Sequence, residues 1–203
     1  MLDQAAKLRE LADSLSAEEV YTNKILVEQN LSSQTEKGRI VAVTSGKGGV
    51  GKTNFVINIA LLLAKFNRKV VVVDLDLGLA NVDILLNLTP KYNMEDIIKR
   101  RKKTKDILLD GPRGIKILPG GSGIPRLADL EDRERINFIE SLAELKAEYD
   151  FVLFDTAAGI SKNVIEFVLI ADDVIVVTTP EPTAITDAYA MIKIIGLRNK
   201  DMD

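Results

Sequence analysis

The feature that most constrains this chain is a glycine-rich octapeptide, Gly46-Lys47-Gly48-Gly49-Val50-Gly51-Lys52-Thr53. It follows a β-branched run at 40–44 and precedes a segment, 54–65, whose apolar residues recur at helical spacing. A strand, a glycine-rich turn and a helix that carry the pattern G-x-x-x-x-G-K-[ST] predict a phosphate-binding P-loop. Glycine lets successive backbone N–H groups point at one phosphate, and the positive end of the following helix strengthens this anion site.

The side chains of this loop indicate the chemistry of the site. Lys52 can reach the β- and γ-phosphates of a nucleotide, and the Thr53 hydroxyl can hold Mg²⁺. We expect the whole stretch from Gly46 to Asn54 to contact the nucleotide. The backbone cradle does not need Lys47, and two interpretations of this residue stay open. It is a solvated loop lysine, or it points outward to a nucleotide that a second copy of the protein holds.

Composition excludes several classes of chemistry. The chain has 203 residues, which is enough for one sizeable core, so a single α/β domain is the default expectation. It contains no cysteine and no histidine, which excludes disulfides, cysteine nucleophiles, histidine bases and the common zinc sites. A net charge of −3 gives no support for direct nucleic-acid binding. The sequence shows neither a secretory signal nor an apolar run near the ~18 residues of a membrane span, so we expect a cytoplasmic protein.

The polarity of the sequence divides the chain into three parts. Residues 1–15 predict a short amphipathic helix, residues 16–38 a polar tether, and residues 39–203 a P-loop ATPase domain. The apolar stripe of the first part consists of Leu2, Ala5, Leu8, Leu11, Ala12 and Leu15. A stripe of this kind either packs on its own domain or binds a partner, and the pattern alone leaves both possibilities open.

Acidic residues follow the predicted strand at 70–74. Asp74 and Asp76 are two residues apart and should emerge together at the carboxyl edge of the sheet, where ligands bind in open α/β sheets. Two acids beside a P-loop can steer Mg²⁺ and a water molecule. The alternative is that acids such as Asp76 and Asp83 only cap helices and turns.

A second apolar run, at 151–154, ends at Asp155. This has the form of a Walker B strand, whose aspartate binds Mg²⁺ directly or through water. Gly159, a few residues later, permits the backbone to approach a γ-phosphate closely, so the turn could sense whether that phosphate is present.

The rest of the chain alternates between predicted strands and helices. Strands are expected at 115–118 and 174–179, and helices at 94–103, 127–149 and 184–197. The basic run at the end of the first helix suits the helix dipole and is expected to be solvated. The alternation predicts a doubly wound, mostly parallel sheet that is flanked by helices.

These segments together carry a family resemblance. Residues 46–53 resemble the deviant Walker A motif of the MinD/ParA class of P-loop ATPases, with Lys47 in the position of the signature lysine. Residues 74–83 resemble the second Walker-type segment of the MinD-like branch. Residues 154–160 and 181–189 are similar to the flagellar number regulators called FlhG, FleN or YlxH. Asp3-Gln4-Ala5-Ala6-Lys7-Leu8-Arg9 matches the D-Q-A-x-x-L-R helix with which that family begins.

The resemblance implies a mechanism. ATP would bridge two subunits, and Lys47 of each subunit would reach the partner's phosphates and neutralise transition-state charge. Asp76 would position the attacking water, while Asp74 and Asp155 would organise Mg²⁺ together with Thr53. ATP and Mg²⁺ are therefore the expected cofactors, and an ATP-dependent homodimer is the expected state.

The resemblance also implies partners. In the family, the N-terminal helix stimulates the GTPase activity of FlhF, which favours partner binding by Asp3, Gln4, Ala5, Leu8 and Arg9. Flagellar C-ring proteins and, in some bacteria, a flagellar transcriptional activator are further partners, and direct nucleic-acid binding is not expected. The family is cytoplasmic and peripheral at the inner membrane face or the cell pole.

One part of the family pattern is missing. Members continue through an adenine-reading asparagine and further strands to a C-terminal amphipathic helix that binds membrane, and nothing after Gly196 resembles these elements. We therefore expect a shortened ATPase domain without that membrane contact. Two alternatives remain: a division-site MinD or ParA-type partition ATPase, which generally lacks the D-Q-A-x-x-L-R helix, and a truncated adaptor that hydrolyses no ATP and acts only through its N-terminal helix.

Overall fold

The computed structural model describes residues 38–76, 81–121 and 132–198. Within these ranges a six-stranded sheet has the strand order β3-β4-β2-β5-β1-β6. All neighbouring strands are parallel except β3 and β4, which are antiparallel. The strands are β1 (Arg39–Ser45), β2 (Val70–Leu75), β3 (Leu109–Asp110), β4 (Lys116–Leu118), β5 (Phe151–Ala158) and β6 (Asp173–Val176). The predicted mostly parallel, doubly wound sheet is therefore confirmed, and it has in addition a short antiparallel edge strand, β3, that was not predicted.

Helices cover both faces of the sheet. They are α1 (Lys52–Lys65), α2 (Val82–Leu85), α3 (Met94–Ile98), α4 (Thr104–Ile107), α5 (Asp132–Ala143), α6 (Lys162–Leu169) and α7 (Pro182–Arg198), with short 3₁₀ turns at Pro112–Gly114 and Glu144–Ala147. No helix among the described residues has the length and apolar character that crossing a membrane requires.

Two apolar clusters explain why the central strands are continuously β-branched and apolar. Ile40 and Ala42 of β1 face one cluster, while Val41 and Val43 face the other. Residues of α3, α5, α6 and α7 fill the first cluster, and residues of α1 and α2 fill the second. Because a strand alternates its side chains between two buried faces, both faces of the middle of these strands are apolar, and buried polar residues such as Asp74 and Asp155 come only toward the carboxyl ends.

The largest differences from the predicted boundaries lie in three elements. The helix expected at 94–103 ends at Ile98, because Arg100 adopts a positive φ of 53° that stops the helix. Most of the basic run is exposed to solvent, as predicted, and two of its side chains also form ion pairs: Lys99 with Glu95 and Arg101 with Asp96. β6 ends at Val176 instead of 179. Of the helix expected at 127–149, the structure describes Asp132–Ala143 followed by the turn Glu144–Ala147.

The predicted N-terminal helix and nearly all of the tether lie outside the described residues, as do residues 77–80, 122–131 and the last five residues. The three-part division of the chain therefore stays a prediction. What the fold does establish is the position of the site. β2, β5 and β1 are adjacent and parallel, so their carboxyl ends meet at one edge of the sheet.

Candidate functional site

The octapeptide forms the turn between β1 and α1, as predicted. Gly49 and Gly51 adopt left-handed backbone conformations, with φ of 78° and 89°. A Cβ atom at either position would meet no atom within 4 Å, so glycine is required by conformation and not by crowding. No side chain caps the start of α1 at Gly51. The first-turn N–H groups of a helix have no intrahelical acceptor, which makes this turn suitable for an anion.

A buried ion pair lies beside the turn. The Nζ atom of Lys52 is 2.8 Å from Oδ1 of Asp155, and both side chains are almost fully buried. The two elements come together because β1 and β5 are neighbours, with Val43 opposite Asp155 in the register. The structure thus places Lys52 next to Asp155, while the predicted roles of Lys52 toward phosphate and of Asp155 toward Mg²⁺ remain predictions.

Asp155 has capacity for a further ligand. Its second carboxylate oxygen, Oδ2, is buried and has no hydrogen-bond partner among the described residues. An unsatisfied buried acceptor is costly, and carboxylate and hydroxyl oxygens are the ligands that Mg²⁺ prefers. The unsatisfied oxygen of Asp155 therefore fits an Mg²⁺ ion, while the role of Thr53 as a second ligand remains a prediction. The described residues contain no cluster of three or more acidic side chains that could hold a metal.

Asp74 is fully buried opposite Asp155 in the register of β2 and β5. Its Oδ2 accepts the backbone N–H groups of Asn81 and Val82, at 2.9 and 3.1 Å, and its Oδ1 accepts that of Asp76 at 3.2 Å. Burial, the largest cause, and the charge of Asp155 together raise the pKa of Asp74 from 3.8 to about 6, although the backbone hydrogen bonds partly oppose the rise.

Asp74 and Asp76 therefore have different surroundings. The carboxylate of Asp74 holds the segment that leads into α2, whereas the capping alternative for Asp76 stays open. Asp76 is half-buried directly after β2, at the same edge of the sheet as the P-loop. The proposed roles of the two acids toward metal and water remain predictions.

Lys47 forms an ion pair that was not predicted from the sequence. Its Nζ atom is 2.6 Å from Oε2 of Glu181, in the loop between β6 and α7, and both side chains are exposed. The hydrogen bond and charge of Glu181 raise the pKa of Lys47. The order of the strands could have indicated this contact. Because β6 lies beside β1 and is parallel to it, an acidic residue just after β6 lies at the same edge of the sheet as the P-loop that follows β1.

The first glycine of the loop packs directly against α7. A Cβ atom at Gly46 would lie 2.5 Å from atoms of Asp187, so only glycine permits this approach. α7 therefore contacts the start of the P-loop at Gly46. The loop before α7, which carries Glu181, contacts the next residue, Lys47.

The segment after Asp155 is bonded to β1. The Thr156 hydroxyl donates to the carbonyl of Val43 at 3.1 Å, and the Gly159 N–H donates to the carbonyl of Ser45 at 2.8 Å. Gly159 has a φ of 88°, which favours glycine. A movement of this turn would therefore pull on the strand that carries the P-loop, although phosphate sensing by Gly159 remains a prediction. The predicted partner-binding residues Asp3, Gln4, Ala5, Leu8 and Arg9 lie outside the described residues.

Comparisons with known proteins agree with this geometry. Residues 38–203 match the model of the AAA domain family. The antiactivator FleN of Pseudomonas aeruginosa is 46% identical over 158 residues, covering 78% of this chain and 56% of FleN. The flagellum site-determining protein YlxH of Helicobacter pylori is 35% identical over 201 residues, covering 99% of this chain and 64% of YlxH.

A solved structure supports the same relationship. The septum site-determining protein MinD of Pyrococcus horikoshii, in complex with Mg-ADP, superposes with a TM-score of 0.68 and 29% identity, covering 79% of this chain and 65% of that chain. The chain spans between about half and two thirds of the length of the relatives described here. The chain belongs to the AAA domain family and, within it, to the MinD/ParA-like P-loop proteins of the FleN and YlxH type.

Proposed function

We propose that this chain is the nucleotide-binding part of an ATP-dependent switch that regulates flagellar number and placement. The observation that carries the proposal is the buried pair of Lys52 and Asp155 beside the P-loop, with Oδ2 of Asp155 unsatisfied. The Mg-ADP in the MinD structure supports Mg²⁺ and an adenine nucleotide as ligands. The names of FleN and YlxH support the flagellar role.

The residues at the carboxyl edge of the sheet would contact different parts of the bound nucleotide and its metal ion. Backbone N–H groups of the P-loop surround the phosphates, and Lys52 exchanges the Asp155 carboxylate for a phosphate oxygen. This exchange costs little because both acceptors are anionic. The Asp155 carboxylate would then be available to hold Mg²⁺ or its water, and the Thr53 hydroxyl would provide another oxygen ligand. The Mg²⁺ ion, when bound, neutralises phosphate charge.

Hydrolysis would need two further side chains. Asp76 positions the attacking water at the edge of the sheet, and Lys47 acts on the phosphates of a second subunit in an ATP-bridged dimer. Lys47 must leave Glu181 before it can reach a partner. The ion pair between these exposed side chains is a weak restraint, because solvent screens it.

The N-terminal segment would connect this switch to its partners. The match to YlxH covers 99% of the chain, so it includes the predicted N-terminal helix. We infer that Asp3, Gln4, Ala5, Leu8 and Arg9 contact the FlhF GTPase and stimulate it, with flagellar C-ring proteins or a transcriptional activator as further partners. In this proposal the protein works in the cytoplasm, at the cell pole or the inner membrane face.

Two lysines at opposite ends of α1 provide a matched test. Lys52→Ala should weaken MgATP binding by about 10- to 100-fold in calorimetry, because a charge-assisted hydrogen bond contributes about 1.5–3 kcal/mol. Lys65→Ala, at the exposed end of the same helix, should leave the affinity unchanged. Equal affinities of both variants and the wild type would refute the proposed site. Tight binding by the wild type without phosphate release would instead support the adaptor alternative.

A further inference from the structure

Two buried aspartates lie side by side on one face of the sheet, and their surroundings differ. Asp74 of β2 is opposite Asp155 of β5 in the register, and both are fully buried. This is the face that α1 and α2 cover, because Val72 and Leu153, two residues earlier in each strand, belong to the apolar cluster of those helices. Asp155 contacts α1 through Lys52, whereas Asp74 contacts the start of α2.

Both carboxylate oxygens of Asp74 accept hydrogen bonds from the backbone. Oδ1 accepts the N–H of Asp76, and Oδ2 accepts those of Asn81 and Val82, at distances between 2.9 and 3.2 Å. In Asp155, by contrast, Oδ2 has no hydrogen-bond partner among the described residues. A metal ion at Asp74 would compete with the three N–H groups for the same lone pairs. The oxygen that is available to Mg²⁺ therefore belongs to Asp155 and not to Asp74.

The hydrogen bond between Asp74 and Asp76 begins where the sheet ends. β2 pairs with β5 as far as Leu75, which is opposite Thr156, so Asp76 is the first residue beyond this pairing. Its N–H donates instead to the side chain two residues earlier, and aspartate commonly fixes a turn in this way. Asp74 therefore fixes the backbone from which the Asp76 side chain extends.

The same carboxylate also holds the far end of the segment that follows β2. Asn81 and Val82 come seven and eight residues after Asp74, at the start of α2. Val82 is itself fully buried in the apolar cluster that α1 shares. One buried group thus connects the end of β2 with α2, on both sides of residues 77–80, and its loss would release both ends of the segment at once.

We propose that Asp74 is a positioning residue for the ATPase reaction and does not bind Mg²⁺. Its carboxylate keeps Asp76 in place after β2, at the same edge of the sheet as the P-loop. This role rests on the proposed function, in which Asp76 acts on the attacking water. It differs from the metal role of Asp74 that the family resemblance implies. The hold on the segment, however, is a property of the chain without nucleotide and can be measured there.

Amide hydrogen exchange of the full chain without nucleotide, followed by NMR, measures the hold on the segment. In Asp74→Asn only one side-chain oxygen remains. At least one of the N–H groups of Asp76, Asn81 and Val82 should therefore exchange about 10- to 100-fold faster than in the wild type, because a hydrogen bond to a charged acceptor is lost. Asp155→Asn, at the equally buried neighbour, is the matched control and should accelerate none of the three.

The N–H of Val72, in the middle of β2, is the reference for global unfolding. It should accelerate less than the segment does in Asp74→Asn. Unchanged exchange of the segment, or acceleration equal to that of Val72, would overturn the proposal, because Asp74 would then not hold the segment specifically. Circular dichroism checks that the variants are folded. If Asp74→Asn does not fold, Asp74→Ser, which keeps one hydroxyl acceptor in a smaller side chain, takes its place.

The Mg²⁺ dependence of ADP binding, measured by calorimetry, separates positioning from metal binding. Asp155→Asn should raise the Mg²⁺ concentration for half-maximal effect by about 10- to 100-fold, whereas Asp74→Asn should change it by less than about twofold. Turnover at saturating MgATP should nevertheless fall by about 10²-fold in Asp74→Asn with little change in KM, because a misplacement of ~1 Å can have that effect.

A raised Mg²⁺ requirement in Asp74→Asn would overturn the proposal, since Asp74 would then act as a metal ligand. Normal turnover in Asp74→Asn would also overturn it. The exchange and Mg²⁺ measurements need no turnover. A wild type that bound no nucleotide would refute the proposed function, while the exchange rates would still decide whether Asp74 holds the segment.

Discussion

The Asp74→Asn substitution tests whether the buried carboxyl group at the end of β2 has the raised pKa that its surroundings imply. Burial raises the pKa of Asp74 in the folded chain from 3.8 to about 6. Below pH ~4 the group is protonated in both the folded and the unfolded chain. Above pH ~6 the folded chain holds a buried carboxylate that water would solvate better. At ~1.4 kcal/mol per pH unit, the wild type therefore loses about 3 kcal/mol of unfolding free energy between these limits.

The substitution removes this pH dependence. Asparagine has only one side-chain oxygen, so some of the backbone N–H groups that donate to Asp74 lose their acceptor. This loss lowers the unfolding free energy by about 1–3 kcal/mol at every pH. The stability of Asp74→Asn relative to the wild type should therefore rise by about 2 kcal/mol from pH 4.5 to pH 7.5.

Urea denaturation followed by circular dichroism, in buffers with EDTA, measures this difference. The same measurement on Asp110→Asn is the control. It shows how much the loss of an exposed carboxyl group changes the pH dependence of the unfolding free energy. If the stability difference between Asp74→Asn and the wild type stayed constant within ~0.5 kcal/mol over this pH range, the inferred burial effect would be wrong.

Three further predictions concern the switch itself. Lys47→Ala should prevent MgATP-dependent dimerisation in light scattering and lower turnover by about 10³-fold, so an unchanged dimer would exclude action across the interface. Asp76→Ala should keep MgATP affinity but lower phosphate release by about 10²- to 10⁴-fold, and normal release would rule out water positioning. Deletion of residues 1–15 should preserve basal ATPase activity and abolish stimulation of the FlhF GTPase; full stimulation by the deleted chain would refute the role of the helix.

The elements that could be predicted well are those whose sequence pattern can arise from a single physical requirement, such as burial of both faces or a left-handed backbone. A continuous apolar strand such as β2 is buried on both faces, and a glycine-rich turn between strand and helix requires left-handed backbone at Gly49 and Gly51. These features are local, so they can be recognised without knowledge of the rest of the fold. The parallel sheet followed from their alternation with helices.

The features that the sequence did not reveal depend on contacts between distant segments. β3 is two residues long and exists only because β4 pairs with it. The contact of Lys47 with Glu181 joins residues 134 positions apart, and it follows from β1 and β6 being neighbours. Asp74 could be placed at the edge of the sheet, but its burial and its three backbone donors require the folded loop.

The central claim is that a nucleotide binds at the P-loop between Lys52 and Asp155. A crystal structure of this chain with Mg²⁺ and a non-hydrolysable ATP analogue tests it most directly. We expect Lys52 Nζ to leave Asp155 and contact the phosphates, while the Asp155 carboxylate faces Mg²⁺ or its water. A nucleotide bound elsewhere, or a Lys52–Asp155 contact that stays at 2.8 Å beside a filled P-loop, would contradict the account.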